Sequence, residues 1–265
     1  MAGMKQAWNG WLLALQLFTT IPIRRSIAWN AAHVRWLVRC MPLAGALIGA
    51  LSAGVYALFS TFSFSSPLVW ALLLLWLGIW MAGGMHADGF MDVSDAFFSY
   101  RDVKRRQEIM SDPRVGAFAV LSLICLLSFR WLFLYESLQT GIPPALFAAV
   151  PLLSRAGAAW LLSVGKLAKP TGMAASLREY SSWRDAIWAL GLAFVLLSLL
   201  CASTAISVQT GAALAAAAVV LAAAAKPWAE KQFGGITGDV LGALIEGGET
   251  VLWGVIWLLH SSVMG

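Results

Sequence analysis

Long apolar runs alternate with short polar loops along almost the whole chain. A helix of about 20 residues crosses roughly 30 Å of hydrocarbon. Runs of that length recur at 38–60, 67–86, 117–136, 142–164, 184–205, 208–226 and 240–262. They predict seven transmembrane helices, since a helix satisfies its own backbone hydrogen bonds in lipid. Ahead of them, "MAGMKQAWNGWLLALQLFTTIPIRR" places Trp8, Trp11, Leu12 and Leu15 at helical spacing. With Lys5 as the only charge ahead of the run, polar Asn9 and Gln16 inside it and no small-residue cleavage site before Pro22, it is a poor targeting peptide. The spacing predicts a short amphipathic helix at the membrane surface, with a short re-entrant segment as the alternative.

Composition turns this pattern into a class. Of 265 residues, 60% are hydrophobic and 12% charged, and the mean hydropathy is +0.78. Soluble domains carry about a quarter charged residues, so the chain reads as one all-α, polytopic integral membrane bundle. A single domain over 1–265 leaves no room for a soluble one beside it. Lys and Arg collect in alternate loops: Lys5, Arg24, Arg25, Arg35 and Arg39; Arg101, Lys104, Arg105, Arg106 and Arg114; Lys166, Lys169, Arg178 and Arg184; Lys226 and Lys231. The intervening turns "STFSFSSP", "ESLQTGIP" and "STAISVQTG" have none. The positive-inside rule then predicts a cell inner membrane protein with a cytoplasmic N-terminus, every strongly polar loop in the cytoplasm, and the C-terminal "HSSVMG" outside. The net charge of +5 suits anionic lipid or an anionic substrate. No segment has the pattern of a nucleic-acid-binding module. Cys40, Cys125 and Cys201 stand singly in apolar surroundings, which argues for buried structural thiols over disulfides or zinc.

Candidate chemistry begins at "GGMHADGFMDVSDAFFSY", residues 83–100. Asp88, Asp92 and Asp95 fall at i, i+4 and i+7, within about 60° of one another on a helix. Phe90, Met91, Val93, Phe97 and Phe98 fill much of the remaining surface. Carboxylates so arranged repel, so some are protonated or a cation compensates them. A hard divalent ion such as Mg²⁺ takes oxygen ligands and often binds through a few carboxylates plus substrate phosphates. The plainer alternative is a solvated acidic face. Gly83, Gly84 and Gly89 permit close backbone approach. His86 is a candidate to orient a carboxylate or touch substrate, or else makes a structural hydrogen bond.

Two further segments fit a phosphate substrate. "RDVKRRQEIMSDPRVGAF" follows the acidic stripe directly. Its basic residues either anchor the loop to headgroups or, beside a carboxylate-bound metal, hold a phosphate or diphosphate. Arg114 is the foremost candidate, ahead of Arg105 and Arg106. In "KPWAEKQFGGITGDVLGALIEGGE", Thr237, Gly238 and Asp239 open a helix whose free N–H groups can receive an anion, and Glu246 lies seven residues on, on the same face. Such a segment can also be a cap on a tightly packed helix. Arg155 is a charge within a span and needs a partner, either an acidic residue or a substrate phosphate.

With "LQLFTTIPI", "GGMHADGFMDVSDA", "EIMSDPRVGAFAV" and "GGITGDVLGALIE" in this order, the chain resembles cobalamin synthase, the adenosylcobinamide-GDP ribazoletransferase family. It departs from the family at Ala87, where Leu is common, and at Lys169, where Arg is common; Lys lacks the bidentate geometry of Arg. The resemblance implies that adenosylcobinamide-GDP and α-ribazole, or its 5′-phosphate, are joined into adenosylcobalamin, or its phosphate, with release of GMP. It implies Mg²⁺ on Asp88, Asp92, Asp95 and Asp239, with Glu246 as a further ligand, and charge on the leaving GMP neutralised by Arg114. Asp95 is the candidate base for the attacking ribose 3′-hydroxyl. The partners it implies are the two substrates and the lipid bilayer, with a second copy or other cobalamin-assembly enzymes as further candidates. The outline is also similar to membrane CDP-alcohol phosphotransferases, whose contiguous DGxxAR pattern is missing here. A proton- or cation-coupled transporter is the rival from another class. Its site would lie near the bilayer midplane, whereas these acids fall at span ends.

Overall fold

The computed structural model describes residues 2–60 and 66–261. The five residues 61–65 of the turn "STFSFSSP" and the last four of "HSSVMG" lie outside the described residues. Eleven helices are described: α1 (Ala2–Phe18), α2 (Ala31–Ser60), α3 (Pro67–Met81), α4 (Met85–Phe98), α5 (Val103–Ile109), α6 (Ala117–Gln139), α7 (Ala145–Val164), α8 (Met173–Arg178), α9 (Trp183–Ala202), α10 (Val208–Phe233) and α11 (Gly238–Ser261). Six of them (α2, α6, α7, α9, α10 and α11) are long and apolar enough to cross a membrane, and α3 with α4 makes a seventh candidate if the pair is one span. The chain is thus an all-α, multi-pass bundle.

The span expected at 67–86 is not continuous. Its helix ends at Met81, and α4 sets off at 92° to α3. Gly83 and Gly84, both at φ +72°, make the break. Gly84 N–H bonds to Ile79 O at 3.1 Å and Gly83 N–H to Trp80 O at 3.0 Å, which is the Schellman ending that left-handed glycines allow. Run length hides this turn, because the glycine pair lies inside the run counted over 67–86.

The helix α7 is the axis of the bundle, buried along nearly all its length and packed by α2, α9, α10 and α11. The close approach of α2 rests on Gly45 and Gly49. A Cβ at either would collide with the α7 backbone at Pro151 or Phe147. Small residues let membrane helices approach in this way. The N-terminal helix α1 also serves the core: Leu13, Ala14 and Phe18 are buried against α2, while Met4 and Trp8 stay exposed. Among the described residues all three cysteines are free. Cys40 is buried as expected, but Cys125 is exposed and Cys201 intermediate; both lie on helix faces that the bundle leaves partly open.

Contacts between loops gather the polar segments at one end. Thr20 N–H bonds to Met81 O at 2.8 Å, and Ile236 N–H to Lys166 O at 2.7 Å. Arg35 Nε reaches Tyr180 O at 3.1 Å, and Gln107 Nε2 reaches Phe233 O at 2.7 Å. The basic loops that the charge alternation assigns to one side therefore touch one another, with α4 and α5 among them.

Candidate active site

Helix α4 carries Asp88, Asp92 and Asp95 along one side. Its other side packs inward or lines, through Phe90, Val93 and Phe97, an apolar crevice between α6, α10 and α11. Asp88 is exposed, and Asp92 and Asp95 are half-buried. The start of α11 lies directly against this helix. A Cβ on Gly89 would stand 2.8 Å from Asp239 Cα and 2.9 Å from its carbonyl oxygen. One on Gly242 would stand 3.1 Å from His86 O and 3.2 Å from His86 Cα. Glycine on both helices is what lets the two backbones touch at this point. The contact joins the acids, since Asp92 lies in the field of Asp88, Asp239 and Asp95 together.

Asp239 is oriented by its own helix start. Thr237 Oγ1 donates to Asp239 Oδ2 at 3.1 Å and accepts from Val240 N–H at 3.2 Å. Thr237 is therefore buried and engaged as a cap, the second of the two readings open for this segment. Gly238, half-buried beside it, is the part of that segment nearest the expectation.

Lys169 joins the cluster from the loop after α7. That loop is tied to the α10–α11 connection by a parallel bridge, Leu167 to Ile236, and by Ala168 N–H to Ile236 O at 3.0 Å. Gly235, at φ +151°, leaves room for it: a Cβ there would strike the Lys166–Ala168 backbone. Lys169 Nζ bonds Ser111 Oγ at 3.4 Å and its charge acts on Asp239. No periodic pattern signals this placement; it depends on two loops about 70 residues apart in sequence lying side by side, as Leu167 and Ile236 do.

Other expected residues lie elsewhere. Glu246 is buried and paired with Arg130 at 2.7 Å, and Arg155 is paired with Glu249 at 2.6 Å. Glu246, expected as a metal ligand, is instead engaged by Arg130, whereas Arg155 has the acidic partner that was one of its two expected outcomes. Seven residues along a helix is about 10 Å of rise, so Glu246 shares a face with Asp239 but meets neighbours at another depth. Arg155 is neutralised by a protein carboxylate. His86 is 3% exposed, with its ring 6.0 Å from that of Phe18 and Nε2 unpartnered, so it sits beneath the acidic face. Arg105 pairs with Glu108 at 2.7 Å on exposed α5, and Arg106 bonds Gln232 and lies over the Phe97 ring. Arg114 is 87% exposed and clasps Asp112 at 2.6 Å. Its guanidinium holds the Asp112 carboxyl down at about 2.

Among the described residues no three His, Cys, Asp or Glu side chains are close enough to enclose a metal ion. Mg²⁺ does not need such a cage. It keeps several waters and binds through one or two carboxylates plus phosphates. The donor set, carboxylates at the polar end of the bundle with Lys169 and Arg114 nearby, fits a phosphate-bound Mg²⁺ of that kind.

A family model for cobalamin-5-phosphate synthase matches residues 10–257. A protein of Geobacillus thermodenitrificans named adenosylcobinamide-GDP ribazoletransferase is 78% identical over 99% of this chain and all of its own length. Proteins of the same name from Geobacillus sp. strain WCH70 and Pseudomonas aeruginosa strain PAO1 are 58% and 32% identical, over 98% and 92% of this chain and 100% and 95% of theirs. No solved structure matches.

Proposed function

The chain belongs to the cobalamin-5-phosphate synthase family, and from that membership we propose the reaction and the residues that carry it. It is an adenosylcobinamide-GDP ribazoletransferase. The ribose 3′-hydroxyl of α-ribazole, or of its 5′-phosphate, attacks the phosphorus bearing cobinamide. A new phosphoester forms, the bond to the bridging diphosphate oxygen breaks, and GMP leaves. The observation behind the site is the meeting of α4 and α11, which sets Asp239 against the Asp88–Asp92–Asp95 face.

One or two of Asp88, Asp92, Asp95 and Asp239, together with substrate phosphate oxygens and water, would hold Mg²⁺. When bound, the ion supplies charge neutralisation at the diphosphate. Asp95 accepts the proton of the attacking hydroxyl. Lys169 and Arg114 meet phosphate oxygens, Lys169 as a point charge and Arg114 after leaving Asp112. The polar end of the bundle faces the cytoplasm at the inner membrane, with the N-terminus inside and the C-terminus outside. Holding an amphiphilic corrinoid beside the bilayer suits that location.

Purified chain incubated with adenosylcobinamide-GDP and α-ribazole should release GMP and form adenosylcobalamin, with EDTA stopping the reaction and Mg²⁺ restoring it. Release of CMP from a CDP-linked lipid instead would favour the CDP-alcohol reading. The ribazoletransferase name of the relatives weighs against that outcome.

A further inference from the structure

We propose that Gly116 is a positioning residue: it is the seat into which the Asp95 carboxylate fits. The inference rests on the assignment of Asp95 to the reaction. Gly116 is the residue that opens α6, at φ −84° and ψ 165°. That is extended backbone open to any residue, so conformation does not demand glycine here. Nor does capping, for which Ser, Thr, Asp or Asn is preferred at such a position; no side chain caps α6. What requires glycine is space. A Cβ at 116 would overlap both oxygens and Cγ of Asp95, so Asp95 in its present place and any side chain at 116 exclude each other.

The seat also attracts its occupant. The first N–H groups of a helix have no partner within it, and their positive end favours a nearby anion. A 23-residue helix thus sets the far side of Asp95, as α4 sets the near side. The short loop that delivers Gly116 is shaped by Asp112, which accepts from Arg114 N–H at 3.0 Å. The candidate substrate-binding Arg114 and the seat of the candidate base are two residues apart on one turn.

Adding a methyl group should move the carboxylate and spare the fold, because the obstructing atoms are the free end of a side chain. A shift of about 1 Å at a reacting group can cost on the order of 100-fold in rate. The test compares Gly116→Ala with wild type, with exposed Val115→Ala, with Asp95→Ala and with the double variant Gly116→Ala/Asp95→Ala, all as full chain in detergent. The readouts are GMP formation, Mn²⁺ binding by electron paramagnetic resonance, and thermal midpoint. The expected result is about a 100-fold fall in kcat for Gly116→Ala, weaker Mn²⁺ binding and an unchanged midpoint. Val115→Ala should behave as wild type, and the double variant as Asp95→Ala alone. Wild-type kcat and Mn²⁺ binding in Gly116→Ala, or a further loss in the double variant beyond that of Asp95→Ala, overturns the proposal. If Gly116→Ala fails to fold, the double variant should fold because the clash is gone, and its failure as well overturns the seat. Wild-type behaviour of Asp95→Ala is a separate result, which removes the acidic stripe from the mechanism and this inference with it.

Discussion

Asp92 sits among three other carboxylates, and it is the side chain whose loss should most weaken a cation at this site. Asp92→Asn should lower GMP formation by at least about 100-fold, since even outer partners of metal ligands cost 10–100-fold when removed. Purified protein assayed at saturating Mg²⁺ would show it. Arg114 is a different case, because Asp112 competes for it. Arg114→Ala should raise KM for adenosylcobinamide-GDP by about 10-fold, the loss of one charged hydrogen bond, and Asp112→Asn should lower KM by freeing the guanidinium. The pair also has a definite pH window. The Asp112 carboxyl is depressed from 3.8 to about 2, so whatever the contact contributes is present above pH 3.8 and fades as pH falls through about 2. A pH–rate profile between 5 and 8 should therefore carry no inflection from it, which is checked by comparing wild type with Asp112→Asn.

At the scale of elements, the α4–α11 contact is decided by two glycines. Gly89→Ala drives a methyl group into Asp239 backbone, which cannot yield as a side chain can. It should cost about 1–3 kcal/mol of stability and separate Asp239 from the stripe. Gly242→Ala meets His86 at 3.1 Å and should cost less, the two being compared by thermal unfolding and GMP formation. Helices of this hydropathy could be found from run length alone, and the i, i+4, i+7 acids do share α4. The bend at Gly83–Gly84 was written in the sequence as a glycine pair but lay inside the run counted over 67–86. The partners of Glu246 and Arg155 were hidden for another reason: periodicity gives the face of a helix, and depth in the bilayer decides which neighbour that face meets. Lys169 and the Gly116 seat depend on contacts between distant segments, for which a single chain's local pattern has no signal.

Across the whole molecule, the basic loops meet at one end of the bundle. Single cysteines placed at Arg101, Lys166 and Lys231 should label with a membrane-impermeant thiol reagent in inverted vesicles, and those at Thr140 and Thr204 in intact cells. Labelling of the first set in intact cells and of the second in inverted vesicles would reverse the orientation. Deeper in the bundle, Arg130 and Arg155 are held by Glu246 and Glu249, and Arg130 Nε also donates to Thr250 Oγ1 at 2.9 Å. Removing one member of a buried pair costs about 3–5 kcal/mol, so Arg155→Leu should destabilise strongly in mixed-micelle unfolding, and Arg155→Leu/Glu249→Leu by less than the two single changes summed. These pairs also bear on biosynthesis. Both arginines emerge from the ribosome and enter the bilayer a hundred residues or so before their acidic counterparts, as Arg130 and Glu246 are 116 positions apart. Until the last helix arrives, the nascent protein carries two naked cations in oil, and whatever shelters them in that interval, translocon or chaperone, must hand them over to the newcomer that also brings Asp239.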